Sequence, residues 1–206
     1  MVRTLILIPT DLERRGLGFG DAIDSALCGF GPIAAGARAA GLLAERRPDR
    51  VILVGIAGRF DPKLGIGQSY QFAEVACFGV GAGSGDAFLP ASGMGWPQWP
   101  GDPASPAVSI GDGILLAPSA AATCAGQLLT ACAASAGEHD VAIRRRLFPT
   151  AVAEDMEGFG VAMACRIARV PLTIIRGISN NAGDRDVTRW QIQAALSAAA
   201  TLTREI

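Results

Sequence analysis

A chain of 206 residues is long enough for one domain with a sizeable core. Half of its residues are hydrophobic and only 18% are charged, which excludes a disordered chain and fits a well-buried α/β globule. A formal net charge of −1 offers no field strong enough to favour nucleic acid or a membrane surface.

In chain order, the apolar run 4–8 ends at Pro9. It is too short for the hydrophobic segment of a signal peptide and is expected to be the first strand. A polar loop follows, with Thr10-Asp11-Leu12-Glu13-Arg14-Arg15. The turn Gly29-Phe30-Gly31-Pro32 opens a helix over 32–46, with proline at a position that tolerates it. A strand over 51–54 runs into Gly55-Ile56-Ala57-Gly58, and a further strand is expected over 70–77. Residues 79–106 are rich in Gly, Pro, Ala and Trp, too long for a plain connector, and are expected to serve function or a subunit contact. Strands are expected at 113–117 and 128–133, with 118–126 unassigned. Helices are expected at 139–148, 156–168 and 187–202. In the second of these, Met156, Phe159, Met163 and Ile167 share a face and are expected to pack in the core. No repeat or linker divides the chain. Alternating strands and helices predict a single three-layer α/β/α domain over residues 1–206.

The cysteines, Cys28, Cys77, Cys124, Cys132 and Cys165, are odd in number, widely spaced and lack a C-x-x-C. Neither a disulfide framework nor a metal site is expected of them. They read as small buried apolar residues in a reducing cytoplasm. No stretch is long enough to span a membrane.

Polar residues concentrate at two strand ends. The run 150–153 leads into Glu154-Asp155-Met156-Glu157-Gly158. The run 170–175 leads into Arg176-Gly177-Ile178-Ser179-Asn180-Asn181, and Trp190 follows. In open α/β sheets ligands bind at the carboxyl ends of strands, so both clusters are expected to face one crevice. Taken with Pro9 to Glu13, the Gly29–Pro32 turn and the Gly55–Gly58 strand end, these motifs resemble the nucleoside phosphorylase and nucleosidase superfamily over nearly the whole chain. The resemblance implies a central mixed sheet partly curled into a barrel, with helices on both sides. It also implies cleavage of the N-glycosidic bond of a small-molecule nucleoside, with no cofactor and no metal. Superfamily members assemble as homodimers or larger homo-oligomers in which a neighbour closes each 5′ pocket, and the 88–99 loop is the candidate for that role here.

Such cleavage passes through a ribosyl cation-like transition state. It needs an activated water, held sugar hydroxyls and a leaving base whose charge is neutralised. The resemblance places Glu13 as the residue that activates water; without it, Glu13 is a solvated acid in a charged turn. It places Glu157 on both ribose hydroxyls with Met156 against the sugar, although a carboxylate at a helix start also satisfies the macrodipole. Arg176 matches the arginine beside the nucleophilic water, and Ser179 the serine beside the base-reading residue. Trp190 either covers the pocket or packs in the core. Thr10, Ala57, Gly58 and Ser135 complete the expected substrate-binding set, Ser135 through backbone groups near the base edge. The relatives stack a phenylalanine there, whereas 134–137 holds only small residues.

Asn180 discriminates between substrates. Adenine-cleaving relatives carry aspartate at this position. An amide can donate to N7 or O6 but cannot deliver a full proton, which favours a 6-oxopurine. Asp184 is expected to cap or pair locally with Arg185. Many phosphorylases carry an arginine just before the Gly55 motif; here Leu53 and Val54 precede it and Arg59, expected to be exposed, follows it. Hydrolysis is therefore favoured over phosphorolysis. Ile56 replaces a serine of the nucleosidases and loses a polar contact. For a substrate with a carboxylate on its 5′ tail, Arg14, Arg15 and Arg59 are the candidate partners, and the sequence selects none of them.

Other readings are weaker. Gly29-Phe30-Gly31-Pro32-Ile33-Ala34 fits a loose dinucleotide fingerprint but follows no convincing apolar strand. A His-dependent triad has only His139 to draw on, in a polar run. Another purine nucleosidase or phosphorylase, or a non-catalytic nucleoside-binding protein, stand as alternatives.

Overall fold

The computed structural model describes residues 2–102 and 109–206. In chain order its elements are β1 (Thr4–Ile8), α1 (Asp11–Leu17), β2 (Ser25–Leu27), α2 (Pro32–Arg46), β3 (Arg50–Arg59) and β4 (Ser69–Phe78). Then come the short β5 (Gly81–Ala82) and β6 (Leu89–Pro90), β7 (Gly113–Leu115), β8 (Cys124–Ala131) and α3 (Glu138–Leu147). The chain ends with β9 (Ala151–Asp155), α4 (Gly158–Ala168), β10 (Leu172–Asn181) and α5 (Ile192–Glu205).

Two apolar faces on each central strand dictate the layering. Leu5 and Leu7 of β1, with Val51 and Leu53 of β3, belong to a core shared with Ala35, Ala39 and Leu42 of α2 and Phe159 and Val161 of α4. The alternate residues, Ile6, Ile8, Ile52 and Val54, pack with Leu17 of α1 and Leu196, Ala199 and Ala200 of α5. A strand apolar on both sides must lie between two layers, because successive side chains point to opposite faces. Helices α2 and α4 meet closely at glycine. A Cβ on Gly160 would stand 2.1 Å from the Pro32 carbonyl oxygen, so a side chain there would push α2 away from the site it helps to form.

The sheet is mixed and partly closes on itself. β3 pairs in parallel with β10, β10 antiparallel with β4, β4 in parallel with β8, β8 in parallel with β9, and β9 antiparallel with the far end of β3. Five strands thus form a ring, and β1 and β2 extend it outward from β3. This is the partly curled mixed sheet that the resemblance implied.

Several expectations shift. The segment after β1 is a helix, α1, rather than a loop. Its Thr10 N-cap accepts a hydrogen bond from the Glu13 N–H, the start signal of a short helix. β3 and β10 are each ten residues long and continue through their glycine and polar positions, since neighbours on both sides satisfy the backbone. β2 was not expected. The last helix begins at Ile192, with 187–189 forming one turn of 3₁₀ helix. α4 begins at Gly158, so Met156 is not on it. Ile167 is exposed rather than packed, because Phe159, Val161, Ala162, Ala164 and Cys165 form the buried face. The 79–102 part of the long loop is folded locally around the β5–β6 pair, and Phe88 packs on Phe78 with ring centroids 4.9 Å apart. Residues 103–106 of that expected loop lie outside the described residues. Cys28, Cys77 and Cys165 are buried, but Cys124 and Cys132 are exposed. Among the described residues no helix is long and apolar enough to cross a membrane.

Candidate active site

The parallel register of β3 and β10 sets Arg176 opposite Gly55 and Asn180 opposite Gly58. β9 reaches the same edge from the other side, with Glu154 opposite Gly58. Helix α1 comes off the carboxyl end of β1. These ends enclose a cavity of about 410 Å³. Of the expected site residues, Thr10, Glu13, Ala57, Gly58, Met156, Glu157, Ser179, Asn180 and Trp190 line it. Arg176 and Ser135 do not.

Glu13 is buried and held in one orientation. Its Oε2 accepts from the Thr10 hydroxyl at 2.6 Å and its Oε1 from the Ile56 N–H at 3.1 Å. The Ile56 backbone therefore does polar work although its side chain cannot. Arg176 lies behind the cavity floor, fully buried. Its Nε and Nη2 donate to Asp155 Oδ2 at 3.1 and 2.6 Å, and Nη2 reaches Glu157 Oε2 at 3.2 Å. Its Nη1 has no hydrogen-bond partner among the described residues. That atom and Glu13 Oε1 converge on Gly55, where an added Cβ would stand 2.2 Å from Nη1 and 2.5 Å from Oε1. Only glycine leaves room for both groups.

Asp155 is a site residue that the sequence reading left without a role. Its Oδ1 accepts from Thr130 Oγ1 at 2.6 Å and its Oδ2 from the Gly158 N–H at 2.9 Å as well as from Arg176. It joins the arginine to the start of α4. Its place two residues before Glu157, at a strand end, was the signal available. Glu157 precedes α4, and its Oε1 accepts from the Gly31 N–H at 3.1 Å across the α2–α4 contact. Burial pushes its carboxyl up to about 7, against the pull of Arg176; the charges of Asp155 and Glu13 add to the rise and the Gly31 N–H opposes it. For Arg176 burial opposes the charge, but Asp155, Glu157 and Glu13 outweigh it and hold the guanidinium above its ordinary value. Three carboxylates around one arginine make the floor electronegative, a field suited to a developing cationic sugar.

Asn180 is buried, and its neighbours fix its amide. Ser179 Oγ donates to Asn180 Oδ1 at 2.7 Å, and Asn180 Nδ2 donates to the Asn181 carbonyl at 2.8 Å. With its oxygen engaged by a donor, the amide keeps an N–H to give. Ser179 Oγ also lies 3.3 Å from the Ala57 carbonyl.

Ser135 does not serve as expected. Its N–H and hydroxyl are both spent on Glu154, at 3.0 and 2.7 Å, and Ala134 lines the cavity instead. Glu154 also accepts from Arg144 Nη1 at 2.5 Å in a buried ion pair. Asp184 caps locally, accepting from the Asp186 N–H at 3.0 Å, and its ion pair is with Arg189 at 2.6 Å rather than with Arg185. Arg185 instead lies over the Trp190 ring, 5.2 Å from its centroid. Arg59 is half-buried, not exposed: it donates to Asn181 Oδ1 and to the carbonyls of Pro62 and Leu64. Leu12, Phe30, Arg185 and Ile192 line the mouth of the cavity and had no assigned role. Among the described residues no group of His, Cys, Asp and Glu has the arrangement to hold a metal.

A closed ring of strands with carboxylates, an arginine and an amide at one edge defines a class. The chain belongs to the phosphorylase superfamily, whose family model matches residues 20–206. Among its relatives, the futalosine hydrolase of Streptomyces coelicolor is 32% identical over 197 residues, covering 92% of this chain and 81% of that protein. A 5′-methylthioadenosine/S-adenosylhomocysteine nucleosidase of Colwellia psychrerythraea is 31% identical over 165 residues, 75% of this chain and 65% of that one. The solved structure of Helicobacter pylori futalosine hydrolase shares the fold with a TM-score of 0.74 at 16% identity, over 100% of this chain and 97% of that one. This kinship makes the chain an N-glycosyl hydrolase of the purine nucleosidase kind.

Proposed function

We propose that the chain hydrolyses futalosine, releasing hypoxanthine and dehypoxanthine futalosine, and so serves menaquinone biosynthesis. The observation that carries this reading is the oriented amide of Asn180. Ser179 holds its oxygen, so the side chain meets the base as an N–H donor. A donor suits N7 or O6 of hypoxanthine and cannot supply the proton that adenine needs to leave. The identity to the Streptomyces coelicolor futalosine hydrolase supports the same substrate.

In the proposed mechanism Glu157 accepts hydrogen bonds from the 2′ and 3′ hydroxyls, and Met156 packs on the sugar. Water is held between Glu13 Oε1 and Arg176 Nη1, the two groups that converge on Gly55. As the C1′–N9 bond breaks, its electron pair passes to the base, and the free Asn180 N–H donates to the developing anion. The water oxygen bonds C1′ from the opposite face and its proton goes to Glu13. The released base takes up a proton. Asp155 positions Arg176 throughout. The protein acts in the cytoplasm as a homodimer or larger assembly, for which the exposed Leu89 and Trp96 offer apolar surface.

The second reading, a nucleosidase of the methylthioadenosine type, has the Colwellia relative in its favour. One experiment separates the two: kcat/KM on futalosine and on its 6-amino analogue, for the wild type and Asn180→Asp. The wild type is expected to prefer futalosine. The variant is expected to lose futalosine activity and shift toward the 6-amino substrate, since hydrogen-bond readout of this kind discriminates strongly. A ratio that does not move removes Asn180 as the base-reading residue.

A further inference from the structure

The floor of the cavity is polar and buried, with Glu13, Asp155, Glu157, Ser179 and Asn180; its mouth is different. There Leu12 and Phe30 are exposed, Trp190 and Ile192 half-buried, and Arg185 is the one cation among the described lining residues. We propose that this mouth is a subsite for an anionic aromatic 5′ substituent, with Trp190 and Phe30 as its platform and Arg185 as the ligand of its carboxylate. The proposal rests on the futalosine reading, whose substrate carries a benzoate on its 5′ tail, and names the residues that read that tail.

Three observations carry it. First, Arg185 keeps its charge for a ligand. Its two acidic neighbours are taken by Arg189, which reaches Asp184 at 2.6 Å and Asp186 at 3.3 Å, and Asp186 also accepts from Thr188. Second, the guanidinium carbon lies over the Trp190 indole, 5.2 Å from its centroid, and the indole N–H is anchored on the Asp184 carbonyl at 3.1 Å. A guanidinium held against a ring by a cation–π contact spends no N–H donor on it and keeps its fork for a bidentate carboxylate, and the ring offers an aromatic surface beside it. Third, the other candidate arginines are committed. Arg14 and Arg15 both pair with Asp11, Arg59 is spent within its own loop and on Asn181, and none of them lines the cavity. An anionic tail is also repelled by the electronegative floor, so the mouth, with its cation, is where it is stable.

The test compares the wild type, Arg185→Gln and Arg185→Lys on futalosine and on inosine, which has no tail. Arg185→Gln is expected to lower kcat/KM on futalosine by roughly 10- to 100-fold, carried by KM, the scale of one lost charge-assisted contact. Inosine turnover is expected to stay unchanged, and Arg185→Lys to recover part of the loss. Millimolar benzoate is expected to compete with inosine in the wild type and much less in Arg185→Gln. An unchanged futalosine KM in Arg185→Gln overturns the proposal, and so does an equal loss on both substrates, which marks a structural role. If the wild type cleaves inosine but not futalosine, the substrate reading fails by itself. The benzoate arm then decides the subsite: inhibition relieved by Arg185→Gln supports it, and inhibition that is absent or insensitive overturns it.

Discussion

Glu13 and Glu157 are both buried carboxylates in one cavity, and their surroundings suit them to different work. Glu13 is turned by Thr10 and the Ile56 N–H so that one oxygen lies beside Arg176 Nη1. In the proposed mechanism it takes the proton of the attacking water, and Glu13→Gln is expected to cut kcat by at least ~10²-fold with KM little changed. Near wild-type kcat in that variant would remove it from the mechanism. Glu157 must be ionised to accept two sugar hydroxyls strongly. Its carboxyl is raised from 4.5 to about 7, first by burial. The sign follows: between these values the folded protein holds a proton that the unfolded chain has released, so this group's contribution to stability falls as pH rises through that window. Ribose binding runs the other way and strengthens as pH rises through about 7. The pH profile of kcat/KM is expected to show an acid limb there. Glu157→Gln should remove the limb and shrink the preference for ribo- over 2′-deoxyribo-substrates. A limb that persists in the variant would assign it to another group.

At the scale of elements, the buried pair of Arg144 on α3 and Glu154 on β9 ties the 132–137 loop to the sheet. Both side chains are only 6% exposed, and Glu154 also accepts both Ser135 donors. Arg144→Met strands a buried carboxylate and is expected to cost about 3–5 kcal/mol in urea unfolding, while the double variant Arg144→Met, Glu154→Leu should cost clearly less. A single variant as stable as the wild type would show that the pair holds nothing. The elements were unevenly legible. The short apolar run of β1 reads directly as a strand, and its burial on both faces comes from the layers around it. β3 and β10 were read short because Gly55 to Gly58 and Arg176 to Asn181 lack the apolar signature. The ring supplies their backbone partners whatever the side chains are. The stripe Met156, Phe159, Met163, Ile167 has helical spacing, but Met156 belongs to the cavity, and only the packing of α4 on α2 and the sheet selects the buried face. Glu13, Glu157 and Asn180 were placed by resemblance. The Arg185–Trp190 cation–π contact and the Arg144–Glu154 pair depend on tertiary proximity that no local pattern records.

For the whole molecule, the ring of β3, β10, β4, β8 and β9 explains why one edge collects chemistry from segments far apart in the chain. Strand ends that diverge in a flat sheet converge in a closed one, so Gly55, Arg176 and Asp155 meet around a single point beneath the cavity. The two helical layers bury that point, which strengthens each charge within it. On the proposed reading, this cavity hydrolyses a 6-oxopurine nucleoside with water as the nucleophile. That reading is tested most directly by incubating the protein with futalosine, inosine and methylthioadenosine, with and without phosphate, and identifying the products by mass. The predicted result is hypoxanthine and dehypoxanthine futalosine from futalosine at a rate indifferent to phosphate, with methylthioadenosine left largely intact. Release of adenine in preference to hypoxanthine, or a phosphate-dependent reaction yielding a sugar 1-phosphate, would contradict it.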